Sequence, residues 1–202
     1  MKIEWAFAPG WSARNLPVDA PRLAKLLKSR MPDLRKLPEW KETCEILGGT
    51  PRTVSVLVCG DEEMRVYNRD YRHLDKTTDV LSFPTREMDL PGVILESEAS
   101  LGDLILSVPA VERGAQRGRR RTQDEWVEVF LHGILHLLGF DHVTPAVSRV
   151  RAARMRAVQA ELVAKAGVWP SGGKNPRRQS TKKATGKAAR SLKIPGLPPK
   201  RK

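Results

Sequence analysis

The string His132-Gly-Ile-Leu-His136-Leu-Leu-Gly-Phe-Asp-His142 constrains this chain more than any other feature, placing three of its 4 histidines within eleven residues. His132 and His136 are four apart, and on a helix residues i and i+4 lie one above the other on the same face. The apolar stripe running up to them predicts a helix over 124–138. Gly139 stands where such a helix needs a left-handed residue to stop. The chain can then turn and bring His142 back beside the pair. Three neutral ring nitrogens with a fourth position open form the donor set of a catalytic zinc, not of a closed structural site. A lone histidine on an apolar helix is ordinarily a core or surface residue. Three, with a helix-ending glycine between the second and third, point to a metal site in a chain so poor in histidine.

The 202 residues fit one domain, or one domain and a tail. A domain of about 170 residues can bury roughly 70% of its chain surface, so no disulfide is needed to hold it. Cys44 and Cys59 lack CxxC spacing and read as reduced, buried thiols. No basic region followed by an apolar stretch opens the chain, and no apolar run approaches the roughly 18 residues that span a bilayer, so a cytoplasmic protein is expected. The net charge of +13 is unevenly spread: residues 171–202 hold eleven of the 36 Lys and Arg and none of the 23 Asp and Glu, which leaves 25 basic against 23 acidic side chains elsewhere. That segment has almost no large apolar residues and reads as a disordered basic tail beyond a domain over 1–170. Its charge suits contact with nucleic acid through release of phosphate counterions. A second basic cluster, Arg117 to Arg121, reads as a solvated loop.

Strands are expected at 2–8, 53–59, 80–83 and 101–107, the second β-branched and apolar enough to be buried. Helices are expected from Ala20-Pro21, over 38–47, after Asp61 with Met64, Tyr67 and Tyr71 on the apolar face, from Pro109 to about Arg117, and over 146–166. Residues 86–100 read as a polar loop. This order fits an α+β fold, with helices packed around a small sheet.

A second constellation runs from Tyr71-Arg72 through Asp75 and Thr78-Asp-Val-Leu-Ser-Phe-Pro84. The guanidinium of Arg72 is a planar fork suited to a phosphate. On spacing alone, a pairing of Arg72 with Asp75 or Asp79 that pins the turn is the simpler reading. The stretch from Tyr71 to Pro84, the strand Leu101-Gly102-Asp103 and the string from His132 to His142 together resemble the YbeY family of bacterial single-strand-specific endoribonucleases, which mature ribosomal RNA. The resemblance covers roughly residues 50–166. It implies a small mixed sheet with a central metal-binding helix, one Zn2+ held by His132, His136 and His142, and Arg72 in the cleft. Arg72 and His132 are then the catalytic candidates, with single-stranded and ribosomal RNA as substrate and the small ribosomal subunit and its assembly proteins as partners. Asp141 beside the third ligand could orient an imidazole, or simply satisfy turn amides. Asp103 could face the cleft or a partner surface, or lie buried in a turn network. Glu128 lies four before His132 and reads as a solvated glutamate, and His73 as a surface histidine.

The spacing HxxxHxxGxxH is shared with zinc peptidases, where the residue after the first histidine is a glutamate that acts as general base. Here it is Gly133, which argues against peptide hydrolysis. Phosphodiester cleavage instead asks for a metal and a cation that stabilise charge on phosphoryl oxygens. A zinc peptidase and a non-catalytic ribosome-assembly factor are the competing readings. Aromatic residues are few and not interleaved with basic ones, so no stacking platform for bases is visible in the sequence.

Overall fold

The run Thr53–Cys59 (β2) is apolar on both faces and takes the inner place of a four-stranded sheet ordered β1-β2-β4-β3. Strands buried on both sides pair in parallel under helical crossovers, and β1 (Lys2–Phe7), β2 and β4 (Ser100–Ser107) are mutually parallel. β3 (Val80–Pro84) runs antiparallel to β4 at the edge, in the register Val80↔Leu106 to Pro84↔Gly102. Its last residue lacks an N–H, a loss that an edge strand tolerates. This computed structural model describes residues 1–87, 100–140 and 145–167. Asp141, His142, most of the 86–100 loop and the expected tail lie outside the described residues.

Among the described residues six α-helices complete the mixed α+β architecture: α1 (Ala20–Leu34), α2 (Pro38–Ile46), α3 (Asp61–Arg72), α4 (Val108–Arg117), α5 (Thr122–Leu137) and α6 (Pro145–Lys165). Among them α5 is the one enclosed on most sides. Trp126, Phe130, Leu131, Ile134 and Leu135 are fully buried there, against Leu23, Leu27 and Leu34 of α1, Leu104 and Leu106 of β4, and Leu162 and Val163 of α6. Each such side chain contributes about 1.5–3 kcal/mol on burial, so the helix that carries the histidines is also the centre of the core. Gly133 sets its distance from the sheet. A Cβ there would lie 2.8 Å from Leu104 Cδ2 and 3.3 Å from Val80 Cγ2.

The opposite face of the sheet is covered more thinly. A smaller cluster of Cys59, Met64, Leu81 and Ile105 packs under α3, with Tyr67 and Phe83 partly buried at its margin. Tyr71, expected on the apolar face of α3, is 60% exposed.

Two further expectations are corrected. The Arg117–Arg121 cluster is exposed as expected except at one residue: Arg120 is half-buried between Glu125 and Glu128, at 2.6 Å from each, while the exposed Arg121 holds Asp124 through two bonds of 2.7 and 2.8 Å. The acidic first turn of α5 accounts for this, since its carboxylates would otherwise be desolvated without partners. Cys44 and Cys59 are free thiols, but Cys44 is only half-buried. Burial, reinforced by Glu63 and Asp61, pushes the Cys59 thiol up to about 12. Among the described residues no helix is long and apolar enough to cross a membrane.

Candidate functional site

α5 ends as its sequence requires. Gly139 adopts φ +86°, its N–H donates to His136 O at 2.8 Å, and the N–H of Phe140 donates to Leu135 O at 3.2 Å. These are the two bonds of a Schellman motif. The guanidinium of Arg86 occupies the space a Cβ at Gly139 would take, and donates to Leu138 O (3.3 Å), Thr43 Oγ1 (3.2 Å) and Glu42 Oε1 (2.9 Å). A cation thus caps the negative end of the histidine helix and ties it to α2. Nothing local in the sequence announces Arg86, whose partners are more than forty residues away.

One turn before that stop, His132 and His136 are half-buried with Nε2 atoms 3.1 Å apart and rings at 83° to each other. Two zinc–nitrogen bonds of about 2.0–2.1 Å at a tetrahedral angle would separate their nitrogens by about 3.3–3.4 Å. The pair therefore fits a shared divalent ion with only a small adjustment. His132 Nδ1 lies 2.9 Å from Gln159 Oε1 on α6. With that oxygen as acceptor, Nδ1 carries the proton and Nε2 keeps its lone pair for the cleft. Sequence reasoning passed over Gln159. Its one signal is a polar residue at an inward position, four after the buried Met155 and three before the buried Leu162.

Both histidines open onto a cleft of about 280 Å³ whose other walls include Arg72, Thr78, Asp79, Ser82 and Glu87. The cleft straddles the free edge of β3. Val80 and Ser82 face α5, with Ser82 Oγ 3.5 Å from Gly133 O, while Arg72 arrives from α3 on the other side. Arg72 Nη2 donates to Ser82 O at 2.8 Å, and its guanidinium carbon lies 5.5 Å from the centre of the Phe83 ring. The simpler pairing of Arg72 with Asp75 or Asp79 is not made. Asp75 takes two 2.6 Å bonds from Arg65, which holds its carboxyl below the usual range. Asp79 Oδ1 accepts from Val80 N at 2.9 Å and from Thr78 Oγ1 at 3.3 Å.

The end of α3 that delivers Arg72 is fixed by two devices. His73, exposed as expected, takes the left-handed conformation at φ 59°, and its N–H donates to Arg69 O at 3.0 Å. Asn68, buried, donates from Nδ2 to Lys76 O at 2.7 Å and pins the following turn. Glu128 is not solvated: it accepts from Gln159 Nε2 at 3.3 Å and from Arg120. Asp103 is half-buried on β4 opposite Phe83. Its neighbour Leu104 faces α5, so by strand alternation Asp103 faces the other way. It is not among the residues that line the cleft.

Together these features define an α+β protein with an edge-strand cleft that joins two imidazoles to a guanidinium. The sequence profile of the Endoribonuclease YbeY family matches residues 13–167. The chain belongs to that family, and so is a nuclease of the hydrolase class. It is 38% identical over 137 residues to Endoribonuclease YbeY of Halorhodospira halophila, covering 68% of this chain and 85% of that protein. To Endoribonuclease YbeY of Acinetobacter baumannii it is 31% identical over 171 residues, covering 83% and 96%. The solution structure of TM1509 from Thermotoga maritima aligns over 87% of this chain and 98% of that one, with 24% identity and a TM-score of 0.44.

Proposed function

We propose that this endoribonuclease cuts single-stranded RNA in the cytoplasm, in ribosomal RNA maturation and ribosome quality control, with one Zn2+ held by His132, His136 and His142. The observation that carries the reading is the convergence of two imidazole Nε2 atoms, 3.1 Å apart, in the cleft that Arg72 also lines. When bound, the ion supplies positive charge at a phosphoryl oxygen or a water of lowered pKa. The chain's own residues do the rest. Gln159 orients His132. Arg72 uses one N–H on Ser82 O and keeps its others for a phosphate, where they offset charge that grows on the equatorial oxygens. Asp141 is assigned to orienting an imidazole. A domain over residues 1–170 holds this chemistry, and the basic segment 171–202 adds electrostatic attraction to RNA. Small-subunit assembly proteins are the natural partners of such an enzyme.

Peptide hydrolysis finds no support, because the position of a peptidase's glutamate is occupied by Gly133, which packs against Leu104 with no space for a side chain. The test is cleavage of a single-stranded RNA by freshly purified protein, with metal content measured before and after chelation. Arg72→Ala should lose cleavage and keep metal. His136→Ala should lose both. Full single-turnover cleavage by Arg72→Ala removes Arg72 from the mechanism, and metal retained at wild-type level by His136→Ala removes the histidine site.

A further inference from the structure

Three aromatic rings that lie apart in the sequence come together beside the cleft. Tyr67 and Tyr71, one turn apart on α3, stack at 6.3 Å between ring centres and 23° between planes. Tyr71 meets the Phe83 ring edge-on at 5.1 Å and 71°. Arg72 lies over Phe83 and also lines the cleft. Aromatic and basic groups that do not interleave in the sequence therefore do so in space, across the α3–β3 junction.

We infer that the exposed ring of Tyr71, backed by Tyr67 and Phe83, is a stacking subsite for one unpaired nucleobase of the RNA strand whose phosphate Arg72 holds. This deepens the nuclease reading and rests on it. Tyr71 is 60% exposed, although it stands on the face of α3 that the sequence pattern directs inward. A large ring left in water but braced by two others loses little freedom when a base covers it. Every base has a π-face, and base–aromatic stacking tolerates sequence. The charge beside it is also available. On the same helix Arg65 and Arg69 are ion-paired with Asp75 and Asp70, whereas Arg72 donates to a neutral carbonyl. Its full positive charge thus faces the cleft, one residue from the ring. A strand laid across this junction would set a phosphate on the guanidinium and turn the adjoining base onto Tyr71. A base in a duplex has both faces covered by its neighbours and cannot do this. The platform thus favours single strands without reading sequence.

The experiment compares wild type, Tyr71→Leu and Tyr71→Trp of the full chain on a short single-stranded RNA, and on the same strand with abasic sites around the scissile bond. Tyr71→Leu should raise KM about 5- to 150-fold on the intact strand, the range of base–aromatic stacking, with kcat nearly unchanged. Tyr71→Trp should match or better wild type. On the abasic strand the variants should converge. A ribo-oligomer with 2-aminopurine, whose emission falls on stacking, reads the contact without turnover: wild type should quench it and Tyr71→Leu should not. Equal KM for wild type and Tyr71→Leu, an equal penalty on the abasic strand, or no quenching by wild type overturns the platform. No cleavage by any of the three proteins, wild type included, while wild type still quenches 2-aminopurine sinks the nuclease chemistry and leaves the platform standing.

Discussion

The contact between Gln159 and His132 gives the most exacting test of the metal reading. An amide can face either way, but here its direction is forced. Glu128 pairs with Arg120 at 2.6 Å, and a carboxylate only accepts, so the Gln159 Nε2 group 3.3 Å away must be the end that faces it. Oε1 then faces His132 and must accept in turn, which leaves Nδ1 protonated and Nε2 bare. Gln159→Leu removes the acceptor and frees the ring to take the other tautomer, with its proton in the cleft. A neutral hydrogen bond alone contributes about 0.5–1.5 kcal/mol, no more than roughly ten-fold. Residues that orient metal-bound histidines carry about 10- to 100-fold in metal affinity. The expected loss is therefore at least about ten-fold, and larger if the charge of Arg120 and Glu128 polarises the bond. The assay is zinc affinity by competition with a chromophoric chelator, beside an unfolding curve of the metal-free protein. The half-buried position of Gln159 predicts little change in the second. The exchange Glu128→Gln with Gln159→Glu restores an acceptor toward His132 and a donor behind it, and should recover much of the affinity. Wild-type affinity in Gln159→Leu refutes the argument, as does an equal loss in the exchanged pair.

Other predictions follow from the packing and the charges. Gly133→Glu would drive a carboxylate between α5 and Leu104, where an unpaired buried charge costs about 3 kcal/mol or more; denaturant unfolding should show that loss, with no casein hydrolysis gained, and wild-type stability would show that α5 and the sheet leave room there for a side chain. Asp61 binds Arg113 through bonds of 2.5 and 2.8 Å and accepts from Ser107 Oγ, and these, Arg113 first, hold its carboxyl below the usual range. A lowered folded value means stability that is present above the ordinary carboxylate range and is lost as pH falls through the folded value; Asp61→Asn should flatten the acid limb of the melting temperature against pH, and an unchanged limb would assign acid lability elsewhere. Deleting residues 171–202 should weaken RNA binding and reduce its salt slope by about 0.7 for each phosphate that the segment neutralises, with metal content intact; an unchanged slope would give the segment another role.

What the sequence determined by itself is whatever depends on residues close together along the chain. The helix bearing His132 and His136, its stop at Gly139, the buried strand Thr53–Cys59 and the α+β order all follow from periodicities of two and 3.6 residues and from the left-handed freedom of glycine. Even the misplaced start of α5, at Thr122 instead of Asp124, is a matter of one cap. The tertiary structure decided the contacts between elements. Gln159 reaches His132 across 27 residues, Arg86 reaches the end of α5 across 52, and Arg72 exchanges the expected carboxylate partner for the carbonyl of Ser82. It also settled which residue of an apolar stripe stays in water: on α3 Met64 is fully buried and Tyr71 is exposed. Local pattern records which way a side chain leaves its own backbone. Only packing, which sets where a second backbone passes, decides what that side chain meets.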